Sequence, residues 1–153
     1  RRLEGDAAAA AARAVETLRS MPAGLYLAGG ETTVRLPAAP GRGGRNQHLA
    51  LAAALDLDGE DGLLLLAVGT DGTDGNSPDA GALVDGTTAR RARELGLDPR
   101  EHLARADSGT LLAETGDLVH TGPTGTNVGD LLLGLRRAPG HGPGSARGGK
   151  IPA

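Results

Sequence analysis

The run Leu63-Leu64-Leu65-Leu66-Ala67-Val68 constrains this chain more than any other segment. A continuous apolar run closed on both sides by glycine reads as a central strand buried on both faces, and such a strand needs layers packed against it. The polar loop Gly69-Thr70-Asp71-Gly72-Thr73-Asp74-Gly75 leaves its carboxyl end. That is where α/β proteins place their ligand chemistry.

The flanking segments supply the layers. Asp6 to Leu18 is alanine-rich, with Val15 and Leu18 at helical spacing and Asp6 near the positive end of the helix dipole. A chain that opens on Arg1-Arg2, with no Met and directly on a helix, reads as a piece of something longer or a trimmed product. Leu25 to Ala28 reads as a short strand ended by Gly29-Gly30, and Thr32 to Leu36 as a second bounded by Pro37, with Glu31 at the turn between them. Arg45 to Leu57 reads as a helix, with His48, Leu49, Ala52 and Leu55 sharing faces. Thr87 to Leu95 forms another helix, and Asp98-Pro99-Arg100-Glu101 opens the next with a cap, a proline in the first turn and a glutamate three residues after the cap. Ser108 caps a further helix closed by Gly116, Asp117 to His120 is a strand, and Leu131 to Leu135 is a strand or a helix. The fold class expected is α/β, a layered sandwich with a mixed β-sheet and helices packed on its faces, mixed because Leu25 to Leu36 is hairpin-like.

At 153 residues the chain fits one domain, which should bury roughly 70% of its unfolded surface. With no Phe, no Trp and a single Tyr26, that core must be aliphatic. From Pro139 onward the chain is mostly Gly, Pro, Ser and Ala, too poor in apolar surface to offset its ordering entropy, so 138–153 reads as a disordered tail. The net charge of −3, with signs interspersed, gives no broad surface for nucleic acid or membrane. Without Cys there is no disulfide framework or thiolate chemistry, and no apolar run is long enough to cross a bilayer, so the expectation is a soluble, cytoplasmic protein.

Among common phosphate sites, the P-loop and the dinucleotide fingerprint are absent, and the one Lys, Lys150, lies in the tail. What remains is three polar loops. In Gly41-Arg42-Gly43-Gly44-Arg45-Asn46-Gln47 the glycines let backbone N–H groups approach an anion, and Arg45 at a helix start adds a planar fork for phosphate or carboxylate. The competing reading is a flexible loop with a solvated arginine. Asp71 and Asp74 can position Mg²⁺ through water, orient a hydroxyl or accept a proton, or they can simply make turns and cap backbone donors. In Thr121-Gly122-Pro123-Thr124-Gly125-Thr126-Asn127, a backbone nest for phosphate competes with a Pro-Gly turn held by threonine hydroxyls. Glu31 reads as a turn acceptor or a partner for arginine, and His48 as a helix-face residue.

In this order, Gly29-Gly30-Glu31-Thr32-Thr33-Val34, Gly43-Gly44-Arg45-Asn46-Gln47, Gly69 to Gly75 and Thr121 to Asn127 resemble the MOFRL domain, the carboxyl-terminal domain of the class II glycerate 2-kinases, often labelled hydroxypyruvate reductases. The resemblance implies ATP-dependent phosphorylation of D-glycerate to 2-phosphoglycerate with Mg²⁺, in a cleft shared with a larger amino-terminal domain supplied in cis or in trans. It implies that 1–20 is a helical remnant of the connection to that domain and that 21–137 is the MOFRL-like domain. Arg45 matches the arginine proposed to act in the active site, where it would stabilise a transferring phosphoryl group or hold the glycerate carboxylate while a lysine of the other domain completes the clamp. Glu31, Gly43, Gly44, Asn46, Asp71, Asp74, Thr124, Thr126 and Asn127 would then bind substrate or phosphate. Ala106-Asp107-Ser108 departs from the family's usual Asn-Asp-Ser. Two other readings compete: a stand-alone, non-catalytic binding or interaction module, and the reductase of the family label, for which no dinucleotide fingerprint is visible.

Overall fold

A computed structural model describes residues 1–138. Of the expected disordered tail at 138–153, all but Ala138 lies outside the described residues. The elements are β1 (Arg2–Asp6), α1 (Ala7–Ser20), β2 (Gly24–Thr33), α2 (Arg45–Asp56), β3 (Leu63–Gly69), β4 (Gly81–Asp85), α3 (Thr88–Glu94), α4 (Pro99–Ala104), α5 (Ser108–Thr115), β5 (Leu118–Val119) and β6 (Asp130–Arg136). The strands form one six-stranded sheet in the order β1-β2-β6-β3-β4-β5. Only β1 and β2 are parallel, and every other pairing is antiparallel.

The expected layered α/β sandwich with a mixed sheet is therefore present, but its mixed character has another source. Leu25 to Leu36 is not a hairpin: β2 runs unbroken from Gly24 to Thr33, and the parallel pair arises from β1, which has no counterpart in the sequence reading. Gly29-Gly30 does not end the strand because its service is close packing. A Cβ on Gly30 would sit 2.0 Å from the Leu3 carbonyl oxygen, so only glycine lets β1 lie there. β4 was also missed, since Gly81-Ala82-Leu83-Val84-Asp85 has little β-propensity and owes its strand state to pairing with β3. At α5 the N-cap is Asp107 and Ser108 is the first helical residue, so the helix starts one position earlier than expected.

The helices cover one face of the sheet. Asp6 caps α1 by accepting from the Ala9 N–H at 3.0 Å, and α1 buries Ala7, Ala10, Ala11, Ala14, Val15 and Leu18. Against it α2 buries Leu49 to Ala54. Methyl side chains let the two helices approach closely, which is how a core without Phe or Trp reaches close packing. Leu65, Ala67, Ala82, Val84 and Leu132 of the sheet complete that core. β1 and α1 share this core with β2 and β6. β3 is interior in the sheet as expected, but only alternate residues are buried, and Leu64, Leu66 and Val68 on its other face stay half-buried.

β2 and β3 run the same way, with β6 inserted antiparallel between them. The carboxyl ends of β2 and β3 thus meet the amino end of β6 at one edge, and all three polar loops converge there. Among the described residues no helix is long and apolar enough to cross a membrane.

Candidate functional site

Helix α2 begins at this edge without a cap of its own, since Gly44 offers no side chain. The cap comes from the second loop. Asp74 Oδ1 accepts from the Asn46 N–H at 3.1 Å, and Asp74 Oδ2 accepts from the Gln47 N–H at 2.8 Å. The helix dipole therefore already holds an anion, an internal carboxylate rather than a ligand. This explains Gly44, where a Cβ would sit 2.5 Å from Asp74. Burial pushes the Asp74 carboxyl above its ordinary range, against the pull of the hydrogen bonds from Gln47 and Asn46.

Asn46 extends the network. Its Nδ2 donates to Asp74 Oδ1 at 3.2 Å and to Asp130 Oδ1 at 3.1 Å, so one amide bridges two buried carboxylates. Asp130 in turn grips Arg45 with both oxygens, at 2.6 Å from Nε and 2.9 Å from Nη2. Glu31 lies 3.5 Å from Nη2. The Asp130 side chain is fully buried while that of Arg45 keeps 35% of its surface in solvent. Nη1 of Arg45 has no partner among the described residues, so one edge of a fixed guanidinium stays open.

The first loop is pinned rather than loose. Arg42 pairs with Asp79 at 2.7 Å, its N–H donates to Asp107 Oδ1 at 2.8 Å, and Gly43 N–H donates to Asn76 Oδ1 at 2.8 Å. Burial pushes Asp107 up, but bonds from Thr110 and Arg42 and the charges of His102 and Arg105 outweigh it and hold the carboxyl below its ordinary range. Beside Arg45 opens a cavity of about 520 Å³, lined by Glu31, Gly43, Gly44, His48, Ala106 and Ser108, among others. Its polar atoms Thr32 Oγ1, His48 Nδ1 and Ser108 Oγ are buried without a hydrogen-bond partner. Burial lowers the pKa of His48, favouring the neutral imidazole, with the Asp6 charge opposing weakly. Ala106 is the one described non-glycine residue with positive φ, at 50°. Asn tolerates that left-handed backbone better than Ala, which gives the departure at this position a conformational meaning.

The structure divides the expected site residues into two groups. Glu31, Gly43, Gly44 and Arg45 line the cavity, with Asn46 and Asp74 in the network directly beneath. Asp71, Thr124, Thr126 and Asn127 do not line it. Asp71 makes an Asx turn, accepting from the Thr73 N–H at 3.0 Å, and its carbonyl accepts from the Thr124 N–H at 3.2 Å. Thr70 joins the same two loops by donating to the Gly129 carbonyl at 2.7 Å and accepting from the Val128 N–H at 2.9 Å. Thr124, Thr126 and Asn127 remain exposed. Asp130, Ser108 and the cavity position of His48 were missed by the sequence reading. A carboxylate opening the last apolar run, just past the third loop, was the available signal for Asp130.

The fold and this edge define a two-layer α/β domain with a buttressed arginine at the mouth of a cavity. The chain belongs to the MOFRL family, which matches residues 24–130. It is 51% identical over 114 residues to a D-glycerate 2-kinase of Thermotoga maritima, covering 74% of this chain and 27% of that protein. A putative hydroxypyruvate reductase of Agrobacterium vitis is 47% identical over 108 residues, covering 70% of this chain and 28% of its own length. The crystal structure of a glycerate kinase from Thermotoga maritima superposes with a TM-score of 0.85 at 40% identity, over 88% of this chain and 34% of that one. The chain spans about a quarter of the length of these curated relatives, and what it shares with them is one domain.

Proposed function

We propose that this domain forms the phosphate-directed wall of a glycerate 2-kinase cleft, acting on D-glycerate and ATP with the remainder of the kinase supplied in cis or in trans. In that reaction the 2-hydroxyl oxygen of D-glycerate bonds to the γ-phosphorus of ATP while the bond from that phosphorus to the ADP oxygen breaks, and the hydroxyl proton passes to a base. The observation that carries the reading is Arg45, fixed by buried Asp130 with one edge open at the cavity. A cation ordered before substrate arrives stabilises charge on the transferring phosphoryl group, or holds the glycerate carboxylate, at little cost in reorganisation. Glu31 restrains it from the solvent side, and the exposed Thr124 to Asn127 loop supplies hydroxyl and amide donors for phosphate.

Among the described residues no three carboxylate or imidazole groups converge, and both Asp74 oxygens are taken by α2. Of Asp71 and Asp74, Asp71 is the one that would meet Mg²⁺ through water.

A chimera in which residues 1–138 replace the matching region of the Thermotoga maritima kinase tests the proposal. D-Glycerate-dependent ADP release is expected, and Arg45→Ala should lower kcat/KM by about 10²–10³. Unchanged turnover in that variant removes Arg45 from the mechanism, and nicotinamide-dependent reduction of hydroxypyruvate without ADP release favours the reductase.

A further inference from the structure

The sheet face opposite the helices is aliphatic. Strand pairing sets its residues in rows: Leu25, Leu135 and Leu64 across β2, β6 and β3, then Leu27, Leu133, Leu66 and Leu83 with β4 added, then Leu131 and Val68 between Gly29 and Gly81. No charged side chain interrupts them; charge enters only at the margins, with Asp85 opposite Leu64 and Arg2 opposite Gly29. The patch measures about 14 Å across four strands and about 13 Å along them. Leu25 is 71% exposed, Leu27 56% and Leu83 44%. An antiparallel sheet with one solvated face normally alternates apolar with polar residues, and here the open face is as apolar as the covered one.

We infer that this face docks the part of a glycerate 2-kinase chain lying outside the shared domain. Two observations select that occupant. Along β2 the face continues from Leu25 and Leu27 through Gly29 to Glu31 and Thr33, and the last two line the cavity beside Arg45, so a body seated on the leucines also forms the far rim of the cavity. The shared domain is only 27% of the Thermotoga maritima relative and 34% of the solved kinase chain, which leaves ample protein to cover it. The inference rests on the kinase reading for its occupant but is tested without catalysis.

The chain has no Cys, so single cysteines report exposure cleanly. Leu27→Cys and, as a control on a solvent-facing helix, Glu94→Cys are labelled with a maleimide in the isolated chain and in the chimera. Leu27→Cys is expected to react at least tenfold more slowly in the chimera, while Glu94→Cys reacts equally in both. Equal rates for Leu27→Cys overturn the docking. So does protection that rises with protein concentration alongside a dimeric sedimentation coefficient, because a second copy then covers the face. Should the chimera not fold, the position superposed on Leu27 in the intact Thermotoga maritima kinase takes the cysteine and must be protected. A chimera active with Leu27→Cys unprotected overturns the docking alone, whereas protection without D-glycerate-dependent ADP release overturns the kinase reading alone.

Discussion

The two halves of the polar edge are built on different principles. Around Arg45, a chain of buried side chains sets the geometry: Asp130 holds the guanidinium, Asn46 ties Asp130 to Asp74, and Asp74 caps α2. Around Thr124 to Asn127, the loop bonds mostly to itself and to Thr70, and its side chains stay in solvent. The first half is preorganised and the second adaptable, as expected if one positions charge before substrate arrives and the other closes on it.

Asp130→Ala should break this contrast most severely. It strips the rigid half of its central carboxylate and should destabilise the domain by about 2–3 kcal/mol, less than for a fully buried pair because Arg45 is partly solvated. A chemical denaturation series measures it, and a loss under 0.5 kcal/mol would mean that the arginine finds equal support elsewhere.

A smaller effect concerns pH. His48 has its pKa lowered by burial, so its contribution to stability is complete above the ordinary value of 6.5 and is lost as pH falls from there toward the folded-state value. Asp74 has the opposite sign. Its pKa is raised, so its contribution grows as pH falls toward 3.8 and is lost as pH rises. As pH falls below 6.5 the histidine effect should show first, and His48→Leu should flatten that part of the stability profile. A profile of unchanged slope would mean that His48 is solvated.

Thr126→Ala should do least, shifting stability by under about 0.5 kcal/mol because its side chain makes no buried contact. If it instead raises KM in the chimera, the adaptable half is confirmed as ligand-facing. A stability loss comparable to that of Asp130→Ala would erase the distinction.

Much of this arrangement was legible in the residues. Arg45 at a helix start, β3 as an interior strand of the sheet and the Asp98-Pro99 cap follow from local chemistry that tertiary contacts reinforce, whereas the expected burial of β3 on both faces does not hold. What escaped depended on distant partners. β1 and β4 are strands only because β2 and β3 pair with them, and Gly29-Gly30 mimics a turn because glycine serves close packing as readily as reversal. Asp74 likewise looked free for a ligand because nothing local reveals that the helix it caps begins nearly thirty residues earlier. The outer leucines were visible one by one, but the sheet register alone joins them into a face.

The position of β6 sets an order of events for the nascent chain. Of the described strands, the one that bridges β2 and β3 is the last in chain order, and its first residue is the counterion of Arg45. A polypeptide stalled before residue 130 has a sheet in two pieces and an arginine without its buried counterion. Closure of the fold and arming of its charged edge are thus one late, long-range step, in which an interrupted chain leaves behind no half-working site.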